Sequence, residues 1–161
     1  KEMIEAWLIH LQKHPKDNLI LVGGGSQLEE LSNKYSLEKS INFIGTVDYD
    51  IIHKYYSIAD IFILPTLEDN WSLVVPEAMA CGLPIATSIY NGCHPELVKK
   101  GVNGHVFDPL NKLSLIDSFK YFHDSKNELI KMGHESIIIE SEYSPVLTAL
   151  RIFNGIIGNK N

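Results

Sequence analysis

Four short strand-like runs, two of them wholly apolar, constrain the fold of this chain more than any other feature. They are Leu19-Ile20-Leu21-Val22 before a triple glycine, residues 41–44 before Gly45, residues 61–64 before Pro65, and residues 84–87 after Gly82-Leu83-Pro84. Each is too short for a stable helix, and bounded runs of this length read as strands buried on both faces. Helical patterns fill the spaces between them. Met3, Trp7 and Leu11, with Ile4 and Leu8 beside them, give an amphipathic helix to about His14, ended by Pro15. Ser26 and Glu29 form a capping-box pattern that predicts a helix through about Lys34. Residues 50–58 and 76–81 are also helical, the latter stopped by Gly82 in a left-handed turn. Residues 105–107 are a weaker strand, and the C-terminal third predicts helices over 113–122, 127–139 and 144–157, with Ser144 and Pro145 at the start of the last and Gly158 at its end. Strands alternating with helices imply an α/β fold: a doubly wound parallel sheet covered on both faces. Ligands of such sheets bind beyond the carboxyl ends of the strands, where the loops after Val22, Ile44, Leu64 and Thr87 gather.

The length of 161 residues suits one compact domain. The net charge of −6 argues against nucleic acid as the main partner, while leaving room for local donors around one small phosphate. Two cysteines, Cys81 and Cys93, form no disulfide framework, so a reducing cytoplasm is the expected compartment. No run approaches the roughly 18 apolar residues of a membrane span, and no signal-peptide pattern opens the chain. The sequence begins inside a helical pattern, which gives the expectation of a piece of something longer. Repeats, low-complexity tracts and linkers are not evident.

The stretch LEDNWSLVVPEAMACGLPIATS places two carboxylates eight residues apart, Asp69 and Glu77. On the scaffold above, Asp69 falls in the loop at the carboxyl edge of the sheet and Glu77 in the first turn of the next helix. That helix start offers unpaired N–H groups and a positive dipole end, suited to a phosphate or sugar oxygen. Carboxylates suit the hydroxyls of a ribose or hexose. A sugar attached to a diphosphate matches both. The plain alternative is that Glu77 complements the helix dipole and Asp69 caps a turn.

At this point the residues carry a family likeness. DNWSLVVPEAMACGLPI resembles the signature of the C-terminal, donor-binding domain of retaining glycosyltransferases of the GT-B fold, family 4. NLILVGGGSQLEEL, INFIGTVDYDIIHKYYSIADIFILPT and NGCHPELVKKGVNGHVFDP resemble the segments that flank it, in the right order, over roughly residues 1 to 110. The resemblance implies a Rossmann-like domain that binds a UDP-, GDP- or ADP-linked sugar and transfers the sugar, with retained configuration, to a glycan or lipid-linked acceptor. It implies that Glu77 hydrogen-bonds the donor ribose and that Asp69 approaches the donor sugar as the other catalytic acid. Backbone around Asn70, Trp71, Ser72 and Leu73 would meet sugar and diphosphate, Gly23 and Gly24 the phosphates, and Thr46 and Val47 the base. No cofactor or metal is expected. The full-length enzyme would act in polysaccharide or glycolipid assembly in the cytoplasm, with peripheral association at the inner face of the membrane.

Two departures stand out. The first acidic position holds Asp69 rather than glutamate, with Glu68 adjacent as the alternative acid. A side chain one methylene shorter moves a carboxylate by about 1.5 Å, enough to matter in a catalytic site. The family's first strand, with the Arg and Lys that clamp the diphosphate, and its acceptor-binding N-terminal domain would lie before Lys1. The expectation is therefore a sheet with a gap between strands 19–22 and 61–64, an open edge prone to self-association, and a 161-residue piece that is not competent alone. The rival functions are another sugar-nucleotide enzyme of the same fold, such as an epimerase, and a non-catalytic nucleotide-sugar-binding module.

Other signals read as structural. Asp48-Tyr49-Asp50 precedes a helix, with Asp50 expected as its N-cap. The triple glycine lacks dinucleotide-binding spacing. The seven histidines show no metal-ligand spacing along the chain. His94 reads as a loop residue, Trp71 as either a donor contact or a loop anchor, Glu96 as fixing loop geometry, and Lys99-Lys100 as solvated.

Overall fold

The computed structural model describes residues 1–158, and the alternation read from the sequence is its architecture. In chain order it runs α1 (Glu2–Leu11), β1 (Leu19–Val22), α2 (Leu28–Lys34), β2 (Ile41–Gly45), α3 (Tyr49–Ile58), β3 (Phe62–Leu64), α4 (Val74–Ala80), β4 (Ile85–Ser88), α5 (His94–Leu97), β5 (Gly104–Phe107), α6 (Lys112–Asp124), α7 (Leu129–Ser141) and α8 (Pro145–Gly158). A 3₁₀ turn over Lys126–Glu128 leads into α7.

All pairings are parallel, in two groups: β1 with β2, and β3-β4-β5 in that order. β1 and β3 do not pair with each other. Between them lies a cavity of about 850 Å³, walled by Leu19–Val22 on one side and Phe62–Leu64 on the other, so each presents an unpaired edge to it. Two buried polar atoms of residues lining this cavity, Trp7 Nε1 and Ser118 Oγ, have no hydrogen-bond partner.

Helices cover both faces, as the uniformly buried pattern of β4 requires. Its alternate side chains serve two cores. Ala86 joins Ile4, Trp7, Leu115, Phe119 and Phe122 under α1 and α6. Ile85 joins Val75, Ala78, Met79, Leu97 and Ile139 under α4, α5 and α7. Fully burying one such large apolar side chain contributes about 1.5–3 kcal/mol. Gly82 ends α4 at φ +78°, as its position predicts. On α7, a Cβ at Gly133 would lie 2.0 Å from the Gly82 carbonyl oxygen, so the absence of a side chain lets these elements touch.

Several local expectations are corrected. α1 ends at Leu11 rather than His14, and α2 starts at Leu28 with Gln27 at its N-cap position, so the Ser26–Glu29 capping box is not formed. Asp48, not Asp50, occupies the N-cap position of α3, without a side-chain capping bond. α4 begins two residues before Pro76, and α5 falls where the sequence reads as loop. No helix among the described residues is long and apolar enough to cross a membrane. α8 leaves Leu150, Ile152, Phe153 and Ile156 exposed.

Candidate functional site

The loops that follow β1, β2, β3 and β4 carry nearly every residue singled out from the sequence. Gly23 N donates to the Gly45 carbonyl at 2.8 Å, joining the first two. A Cβ on Gly24 would meet Thr46 Oγ1 at 2.7 Å, so Gly24 and Thr46 sit side by side. Gly23 has φ +130° and Gly25 +146°, conformations that disfavour other residues. Gly23, Gly24 and Thr46 are exposed and Val47 is half-buried, leaving the backbone of this rim open.

The loops after β3 and β4 are tied more tightly. Asp69 N donates to the Tyr90 carbonyl at 3.3 Å, and Gly92 N donates to the Asp69 carbonyl at 2.7 Å. A Cβ on Gly92 would lie 2.3 Å from the Asn70 carbonyl oxygen, so no other residue lets the loops approach this closely. Beneath them Asn91, fully buried, donates from Nδ2 to Thr87 Oγ1 at 3.0 Å and accepts from Cys93 N at 3.3 Å. A second buried amide, Asn103, accepts from Lys99 N at 2.8 Å and donates to the Leu97 carbonyl at 2.9 Å, holding α5 against β5. Neither asparagine stands out in the sequence, because no local pattern marks a polar residue for burial.

The two carboxylates differ in how far they are occupied. Asp69 Oδ1 accepts from Trp71 N at 3.0 Å, and Oδ2 accepts from the buried hydroxyl of Ser72 at 2.5 Å. Both oxygens thus brace the turn that exposes the backbone of Asn70 and Leu73. Glu68 next door is exposed. Glu77, in the first turn of α4, is half-buried, and its Oε2 accepts from the Tyr56 hydroxyl at 3.2 Å. Tyr56 is 7% exposed. Burial, then the charge and hydrogen bonding of Glu77, hold its phenol well above the usual range, so it remains a proton donor. Glu77 Oε1 makes no hydrogen bond among the described residues. Tyr56, Leu64, Pro65 and Val74 line the upper reach of the cavity between β1 and β3, which brings open space to the partner of Glu77.

Trp71 is 41% exposed and stacks obliquely on Tyr143 with ring centroids 6.2 Å apart, which anchors its loop to the end of α7. His94 is half-buried at the start of α5, and Glu96, Lys99 and Lys100 are exposed. A smaller hollow of about 360 Å³ lies among Gly23–Leu28 and Phe43. The arrangement is a rim of open backbone with one anchored carboxylate at a helix start.

Comparison with known proteins agrees with this geometry. The family model for glycosyl transferases group 1 matches residues 1–137. An uncharacterized glycosyltransferase of Haemophilus influenzae is 29% identical over 147 residues, covering 88% of this chain and 40% of that protein. The chain thus spans less than half the length of that relative. Among solved structures, the C-terminal domain of a group 1 glycosyl transferase (LpcC) from Francisella tularensis superposes with a TM-score of 0.76 at 23% identity, covering 89% of this chain and 78% of that one. Anabaena Alr3699/HepE in complex with UDP and glucose gives a TM-score of 0.76 at 22% identity, covering 98% of this chain and 44% of that one. With the family model spanning most of its length, this chain belongs to the glycosyl transferases group 1 family.

Proposed function

We propose that this chain is the donor-binding half of a retaining glycosyltransferase of family 4, and that the rim described above holds a nucleotide sugar. The observation that carries the reading is the Tyr56–Glu77 pair at the start of α4. It presents an anchored acceptor for a ribose or hexose hydroxyl at a helix start whose positive dipole end suits the diphosphate. The relative solved with UDP and glucose supports the ligand class. The acceptor is a glycan or lipid-linked sugar, met by a second domain, and the full-length enzyme works in the cytoplasm or at the membrane's inner face. Asp69, with both oxygens engaged, acts by shaping the loop that meets the donor sugar; Glu68 is the free acid beside it.

The cavity between β1 and β3 belongs to the same reading. A strand preceding Lys1 in the longer protein would pair with both edges and bring the residues that clamp the diphosphate. Without that strand the 161-residue chain is a poor catalyst, and self-association through its open edges is the expected by-product.

Thermal-shift and calorimetric titration with UDP-, GDP- and ADP-glucose, on a chain extended upstream of Lys1, test the function. The expected result is saturable binding of one donor that Glu77→Ala weakens by about tenfold or more. Unchanged affinity in Glu77→Ala overturns the site.

A further inference from the structure

We propose that His10, Asp17 and His123 form a binding site for one zinc ion at the end of the sheet opposite the donor rim. The three residues come from separate places: the last turn of α1, the turn before β1, and the end of α6. His10 Nε2 lies 2.9 Å and His123 Nδ1 3.1 Å from the same oxygen, Asp17 Oδ2. All three ligand atoms fall within 4.8 Å of one another. Zinc held at about 2.0–2.2 Å by nitrogen and oxygen in tetrahedral geometry separates its ligands by roughly 3.3 Å. The cluster therefore needs only small side-chain adjustments to close on an ion.

Three features build this into a site rather than a chance meeting. His10 is 5% exposed and walled by Trp7 and Phe119, ring centroids 5.1 and 5.6 Å away, an apolar shell that fixes its ring. Asp17 is set by its backbone, its N–H donating to the His14 carbonyl at 3.2 Å. His14 packs its ring on both imidazoles, its centroid 4.6 Å from that of His10 and 3.4 Å from that of His123, and the fourth place on the ion is left to water. Two imidazoles and one carboxylate are a donor set that zinc accepts well.

Binding needs a lone pair on each of the two ring nitrogens that face Asp17, His10 Nε2 and His123 Nδ1. In the zinc-bound form each imidazole carries its proton on its other ring nitrogen, and no co-reactant is required. Lys126 Nζ sits 3.5 Å from the second carboxylate oxygen, Asp17 Oδ1. It is half-exposed on a flexible stem and opposes the cation modestly. Because Asp17 lies two positions before Leu19, the start of β1, the ion would pin α1, β1 and α6 together, a structural role.

Zinc titration of the chelator-treated 161-residue chain against a chromophoric competitor tests this. Cobalt substitution gives an independent readout, since tetrahedral cobalt absorbs visibly. The expected result is one saturable zinc per chain, a tetrahedral cobalt spectrum, and a rise in Tm with zinc. Asp17→Asn and His123→Gln should each weaken binding roughly 100-fold. Lys126→Ala should leave it equal or tighter, and the exposed His53→Gln unchanged. If Asp17→Asn fails to fold, His123→Gln at the partly exposed end of α6 carries the test. No saturable zinc, or zinc binding that survives His123→Gln undiminished, overturns the proposal and leaves a hydrogen-bonded cluster only. Failure here leaves the donor site untouched.

Discussion

The hydroxyl of Tyr56 donates to Oε2 of Glu77 across 3.2 Å, joining α3 to the first turn of α4. A half-buried carboxylate held at one oxygen is oriented by that contact. Replacing the phenol tests how much that orientation matters. Tyr56→Phe keeps the ring and its edge-on contact with Phe62 but removes the donor. One net hydrogen bond is worth about 1 kcal/mol, so unfolding in urea should show a loss of that order. Nucleotide-sugar affinity should fall about fivefold, read by calorimetry.

Gly92→Ala addresses the joint between the loops after β3 and β4. Its new methyl would lie 2.3 Å from the Asn70 carbonyl oxygen, which is backbone and cannot swing aside. The loops must part, costing about 1–3 kcal/mol in chemical denaturation. Because the loop after β3 that is pushed away carries Asp69, Trp71 and Ser72, donor binding should weaken more than the stability loss alone accounts for.

His105 gives a pH prediction with a definite sign. Burial, then the positive charge of Lys100, hold its imidazole below the ordinary 6.5, with Asp117 opposing. The folded chain therefore resists a proton that the unfolded chain accepts. Stability present above pH 6.5 declines as pH falls from there towards the lower folded value, and the loss is complete below it. Comparing Tm between pH 7.5 and 5 for the parent and for His105→Gln isolates this residue: the variant should show the shallower decline.

The two thiols should separate cleanly. Cys93 is fully buried under the loop and Cys81 is exposed at the end of α4. Burial of the sulfur, then the charge of Glu77, push the Cys81 thiol above its usual range. One thiol per native chain should react with an alkylating reagent, slowly at pH 8, and Glu77→Gln should speed it. The second should react only on unfolding.

How much was legible depends on the range of the interaction. Strands at 19–22 and 41–44, and the stop at Gly82, follow from signals contained in a few residues, and they stand where expected. Asp48 displaced Asp50 at the start of α3, and Ser26 lost its cap to a helix beginning at Leu28, because competing end positions differ by less energy than tertiary contacts impose. The engagement of both Asp69 oxygens by Trp71 and Ser72 answers to the fold of the loop.

By itself, the order of apolar runs, turns and helix stops determined an α/β chain with parallel strands and a polar rim at their carboxyl ends. Those features rest on periodicity and backbone geometry within one element. Only the tertiary structure decided that Asn91 and Asn103 would be buried hubs, that β1 and β3 would face each other across a cavity, and that His123 would reach Asp17 from 106 residues away. Such meetings depend on how whole helices pack on the sheet, and no short stretch of sequence records that packing.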